Sequence, residues 1–131
     1  MVVPLTLDKR TMSDLTAVDY KWLGERPALL VRAMVLADKT LFIAGPPDIA
    51  DEKEAWGRFF EPEIRAGLDE QIAALEGRKG ALLRAVSASD GQELSEYNLE
   101  SPPVWDGMAA ANGRLYVAMK NGRILCFGGN E

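Results

Sequence analysis

Few side chains in this 131-residue chain are of the kinds that do chemistry. There is no histidine, which removes His-based triads, His-containing metal sites and the commonest general base. Asp48, Asp51 and Asp106 are hard oxygen donors that could hold Ca²⁺, although their spacing follows no calcium-loop motif. The acidic pairs Glu61/Glu63 and Asp69/Glu70 read most simply as solvated helix faces rather than as a general acid and base. Cys126 is the single cysteine, so no intrachain disulfide can form. It lies in the apolar run Ile124-Leu125-Cys126-Phe127, which predicts a buried, inert thiol. No catalytic residue, metal ligand set or cofactor is assigned.

The aromatic and basic residues offer binding instead. Trp56, Phe59 and Phe60 could anchor a protein partner, since aromatic side chains dominate interface hot spots. The simpler expectation is that they pack their own helix onto the sheet. Trp105, beside Asp106, could stack on a sugar or an aromatic ligand, with packing between structural units as the simpler expectation. Arg32 and Arg84 interrupt apolar strands and would either pair with acidic groups in a channel or lie exposed at an edge.

The elements that position these residues follow from periodicity. Met34-Val35-Leu36-Ala37-Asp38-Lys39-Thr40-Leu41-Phe42-Ile43-Ala44 returns 74 residues later as Met108-Ala109-Ala110-Ala111-Asn112-Gly113-Arg114-Leu115-Tyr116-Val117-Ala118. The near-continuous apolar run 29–36 reads as a buried strand. Asp38-Lys39 turns it into a partner strand over 40–44, and Gly45-Pro46-Pro47-Asp48 stops the sheet. Trp56, Phe60, Ile64, Leu68, Ile72 and Leu75 then recur at helical spacing. Residues 51–77 are therefore an inserted helical hairpin or bent helix, with Pro62 in a first turn and Gly77 as its stop.

Strands resume over 81–88 and, after Asp90-Gly91, over 92–99. Ser101-Pro102-Pro103-Val104-Trp105-Asp106 reads as a stiff linker. The second repeat has strands over 108–111, 114–119 and 123–127, joined by Asn112-Gly113 and Asn121-Gly122, both type I′ turn signals. Aligning Gly80-Ala81-Leu82-Leu83 with Gly122-Arg123-Ile124-Leu125 gives an offset of 42. The first repeat then carries 32 extra residues (74 minus 42), and the second lacks its fourth strand. The chain is thus mainly β: about two antiparallel four-stranded meanders with a helical insertion. Its parts are an N-terminal segment over 1–28, a first unit over 29–100 and an incomplete second unit over 101–131. Alternation of the turns places the insertion (45–80), residues 101–106 and Asn121-Gly122 on one face, the preferred binding face.

Gly113-Arg114-Leu115-Tyr116-Val117-Ala118 with Asn121-Gly122-Arg123-Ile124-Leu125-Cys126-Phe127 resembles the repeat of pyrroloquinoline-quinone (PQQ)-like β-propellers, and Ala85-Val86-Ser87-Ala88-Ser89-Asp90-Gly91-Gln92 is similar to the turn that follows it. The resemblance spans residues 29–128, and the style of its final strands is similar to the C-terminal ends of large bacterial propeller proteins of unassigned function. Ser87 and Ser95 stand where the family has an aspartate and a docking tryptophan, and nothing resembles its calcium and quinone ligands. The resemblance implies a non-catalytic binding or assembly scaffold of β-propeller blades, with the C-terminal blades of a PQQ-dependent quinoprotein dehydrogenase as the alternative. It also suggests an exported or periplasmic setting, although the opening ten residues lack the pattern of a signal peptide.

About one and three-quarter blades are too few for a closed propeller, which needs roughly four. Further blades of a longer chain, a ring of copies, or the N-terminal 28 residues covering an edge would resolve this. In the last case Asp19-Tyr20-Lys21-Trp22-Leu23 is the expected strand. The net charge of −5 argues against nucleic-acid and anionic-lipid partners, and no apolar run approaches the ~18 residues of a membrane span.

Overall fold

The computed structural model describes residues 19–24 and 27–129. Strands β1 (Ala33–Ala37), β2 (Thr40–Gly45), β3 (Ala81–Ser87) and β4 (Glu93–Leu99) form one antiparallel meander. Strands β5 (Pro103–Ala111), β6 (Arg114–Met119) and β7 (Ile124–Gly128) form a second. Helices α1 (Glu52–Ala55) and α2 (Pro62–Leu75) lie between β2 and β3. The chain is therefore mainly β, with two open antiparallel sheets of four and three strands among the described residues. No described helix is long and apolar enough to cross a membrane.

The sheets stack face to face with β1 beside β5. Alternate residues of a strand point to opposite faces, and cross-strand partners share a face. Ala44, Ala81, Leu83 and Leu99 of the first sheet close on Leu115, Val117 and Met119 of the second. Val35, Phe42, Met108, Ala110, Leu125 and Phe127 pack around them. At the outer margin the Tyr97 and Phe127 rings meet at 6.1 Å, tilted by 41°.

Pairing also corrects the repeat. Phe42 faces Ala85 across its ladder as Tyr116 faces Cys126, so the third strands are offset by 41 (126 minus 85) and the insertion adds 33 residues (74 minus 41). The one-residue difference matters because it exchanges the two faces of a strand. Leu83 and Leu125 are alike in type, but Leu83 matches Ile124 in position.

Other expectations change for local reasons. Strand β1 begins at Ala33, because Leu29–Arg32 run beside β2 through an isolated bridge from Leu29 to Pro47 and a bond from Arg32 N–H to the Ala44 carbonyl. The expected linker is strand: Pro103 pairs with Met119 and, across an irregularity, Met108 pairs with Val117. Asn112 and Gly113 both have positive φ (53° and 73°), as a type I′ turn requires. In the Asn121-Gly122 turn only Gly122 does (φ 89°). Asn121 instead accepts the Arg123 N–H on its Oδ1, donates through Nδ2 to Glu100, and gives its own N–H to Ser101 Oγ.

Residues 19–24 form no strand. Trp22 instead caps the β3–β4 turn: its indole N–H donates to the Ala88 carbonyl at 2.8 Å, and its ring covers Gly91. Gly91 has φ 75°, and a Cβ there would fall 2.5 Å from the ring. Residues 1–18, the rest of the expected edge cover, lie outside the described residues.

A glutamine joins the start of the insertion to helix α2. Buried Gln71 accepts the N–H groups of Ile49 and Ala50 on Oε1 (2.6 and 2.9 Å) and donates through Nε2 to the Pro47 carbonyl (3.0 Å). Helix α2 thereby buries Gln71 and Ala74 most fully, with Ile64 and Leu68 of the predicted stripe half-buried and Ile72 and Leu75 exposed. Gln71 bonds backbone groups beside two prolines, and satisfying them outweighs full burial of the stripe. A Gln71→Leu variant removes these three hydrogen bonds and should lose about 2–4 kcal/mol, given a net contribution of about 0.5–1.5 kcal/mol per hydrogen bond. Urea denaturation measures this. Gly91→Ala should expel the Trp22 ring, seen as a red shift of tryptophan emission together with a lower urea midpoint.

Candidate functional site

The insertion is built to hold its tip at a fixed place. Asp51 caps α1 by accepting the N–H groups of Lys53 and Glu54, as an N-cap carboxylate does. Pro62 opens α2 at a position where its missing N–H costs nothing. The α2 C-terminus closes in a Schellman motif, with Gly77 at φ 94° and bonds from Arg78 N–H to the Ala73 carbonyl and from Gly77 N–H to the Ala74 carbonyl.

The last turn of α2 contains no basic residue, yet two cations reach it from the sheets. Arg32 Nη2 donates to the Leu75 carbonyl at 2.8 Å, and Lys120 Nζ to the Glu76 carbonyl at 3.0 Å. Both complement the partial negative charge of the helix C-terminus. Arg32 precedes β1 in the first sheet, and Lys120 follows β6 in the second. The insertion is thus tied to both sheets. Arg32 also lies over the Trp105 ring, its Cζ 5.5 Å from the centroid, and its carbonyl accepts the Asp106 N–H. Asp106 sits in the β5 irregularity with φ 56°, a left-handed conformation that aspartate tolerates better than most residues.

The tip itself is aromatic. Trp56 is 81% exposed and Phe60 93%, and Phe59 is about half exposed. The expectation that these rings pack onto their own sheet is therefore wrong. Their neighbour Ala55 takes the buried position, and the chain turns at Gly57 before the helical spacing can continue. Arg58 stands between the rings and pairs with Glu61 at 2.5 Å and Glu54 at 3.2 Å. The hydrogen bond to Glu61 and that carboxylate's charge, followed by those of Glu54, raise the guanidinium above its ordinary pKa. Bonds from Arg58 N–H to Ala55 and from Glu61 N–H to Arg58 complete an ordered turn. Ile49, Ile72 and Leu75 add exposed apolar surface on the insertion.

Trp105 is 73% exposed and stacks under Arg32 instead of between the sheets. Arg84 is neither a channel residue nor a free edge: it pairs with Glu96 at 2.5 Å and Glu93 at 3.6 Å. Cys126 is exposed because it points to the face of the second sheet that no described element covers. Asp48 and Asp51 line a shallow hollow beside Pro27 and Ala28, without Asp106. Among the described residues no three acidic, cysteine or histidine groups converge on a metal position.

The expected clustering of loops is present: Gly77 abuts Pro102 and Lys120, and Ser101 bonds Asn121. At the opposite end the two sheets splay around a cavity of about 820 Å³, lined by Phe42, Leu83, Tyr97, Leu115 and Phe127 and the Asn112-Gly113 turn. Spacing gave no hint of Gln71 or Lys120, whose partners are backbone carbonyls and N–H groups far away in sequence. In comparisons with known proteins, no family model, curated protein or solved structure matches the chain.

Arg32→Ala should release both the α2 C-terminus and Trp105. The expected loss is about 1–2 kcal/mol, from one charged hydrogen bond and an exposed cation–π contact. Amide exchange should quicken at residues 75–78 while β3 and β6 stay protected. Unchanged exchange there would show that the clamp is dispensable.

Proposed function

We propose that the chain is a non-catalytic binding or assembly scaffold of β-propeller type, which recognises a protein partner through the face carrying the insertion. The observation that carries this reading is the ordered aromatic tip. Trp56, Phe59 and Phe60 are held out to solvent by a structured turn whose base is fixed by Gln71, Arg32 and Lys120. Exposing large rings forgoes burial worth about 1.5–3 kcal/mol per large apolar side chain. Rigid aromatic residues are the usual anchors of protein interfaces, since they contribute large area for little lost freedom.

The surroundings suggest the partner's chemistry. Residues 51–77 hold eight carboxylates (Asp51, Glu52, Glu54, Glu61, Glu63, Asp69, Glu70, Glu76) and three cations (Lys53, Arg58, Arg65). An apolar cleft rimmed by basic residues would complement that surface. Two stacked antiparallel meanders with one internal pattern support the blade-like reading of the scaffold.

The test compares wild type with a Trp56→Ala/Phe60→Ala double variant in quantitative cross-linking and affinity capture. These side chains support no core, so the urea midpoint should move by less than about 0.5 kcal/mol equivalent. Interactions made by wild type should weaken at least roughly tenfold, as expected for loss of hot-spot anchors. An unchanged interaction profile with an intact fold would overturn the assignment to the tip.

A further inference from the structure

Among the described residues the two sheets share one interface, and the far face of each carries exposed apolar residues that answer its halves. Across that interface the first sheet contributes Val35, Phe42, Ala44, Leu83 and Ala85, and the second Met108, Ala110, Leu115, Val117 and Phe127. Repeat positions, set by the offsets of 74 and 41, transfer each set to the other sheet. The first set maps to Ala109, Tyr116, Ala118, Ile124 and Cys126, on the far face of the second sheet. The second set maps to Met34, Leu36, Leu41, Ile43 and Val86, on the far face of the first.

Side-chain character is kept at six of the ten positions; size changes where Val35 maps to Ala109, Ala85 to Cys126, Ala110 to Leu36 and Phe127 to Val86. Phenylalanine becomes tyrosine, leucine isoleucine, valine isoleucine, and one methionine and one alanine are unchanged. Half of these far-face residues are exposed, while Leu41, Ile43, Tyr116 and Ala118 are half-buried and Val86 is buried. Ile124 is 71% exposed and Met34 59%, and Ala109, Leu36 and Cys126 are exposed as well. Arg84 takes the position of Leu125, and its charge is already neutralised by Glu96 and Glu93.

We infer that a second copy of this chain docks head to tail, with the far face of the second sheet of one copy against the far face of the first sheet of the next, repeating the contact made inside each chain. The surfaces are different on the two partners, so the contact is heterologous. It propagates to a ring or a filament according to whether the rotation closes. The inference is independent of the insertion tip, whose aromatic residues lie on neither face, so either reading can fail without the other.

The test uses the full chain in sedimentation across a wide concentration range. Wild type should rise above the 14.3 kDa of one chain. Met34→Asp and Ile124→Asp should each remain at one chain with unchanged far-UV circular dichroism. Mixed in equal amounts they should form a pair and stop there, since each supplies the one intact face the other lacks. The unmodified chain gives a second readout: maleimide labelling of Cys126 should slow as mass increases. A wild type that stays monomeric overturns the inference. If that monomer assembles only after residues 1–18 are removed, the chain's own segment covers the face and the inference is equally overturned. Assembly that survives both variants, a mixture that does not pair, or Cys126 labelling that ignores assembly would each contradict it too.

Discussion

A β-strand shows alternate side chains to opposite faces, and in this chain both faces of both sheets carry apolar residues. Leaving either face in water forgoes the burial of its apolar side chains. The contact between the two sheets supplies one cover for each, through Leu83 and Ala44 on one side and Leu115 and Val117 on the other. Everything else is arranged around that contact: the uniform antiparallel meanders, the placement of β1 against β5, and the location of the insertion at a loop rather than on a face.

The insertion answers a different constraint. Thirty-three residues leave the sheet at a pair of prolines and must return to β3 without disturbing the stack. The chain meets this with polar contacts at the base and not with a second apolar core. Gln71 satisfies the backbone after Pro47, and Arg32 and Lys120 satisfy the carbonyls at the end of α2. Because those two cations come from different sheets, the helical element spans the stacking interface as a brace. Its aromatic residues are then free to face outward.

Much of the sheet structure was legible because strand alternation and turn chemistry are local. The 74-residue repeat, the Asn112-Gly113 hairpin, Pro62 and Gly77 all act within a few residues of where they are read. What escaped depends on partners distant in sequence. The apolar helical spacing of Trp56, Phe60, Ile72 and Leu75 predicted a buried stripe, but a single glutamine with three backbone partners set the helix's rotation. Cys126 was expected inside because its neighbours are apolar, and it lies outside because nothing described covers its face; Trp105, expected between the structural units, lies exposed under Arg32. The offset of 42 matched residue types, whereas hydrogen bonding selected 41, and no local pattern distinguishes the two.

The register of the stacked sheets is the claim on which the blade-like scaffold and the docking of copies rest. Nuclear Overhauser contacts in a uniformly labelled sample test it directly. The structure predicts ring-to-ring contacts between Tyr97 and Phe127, with Tyr116 and Cys126 opposite each other across β6 and β7. Contacts from Tyr97 to Cys126 in place of Phe127 would mean a strand slipped by one residue, and would contradict the account at its base.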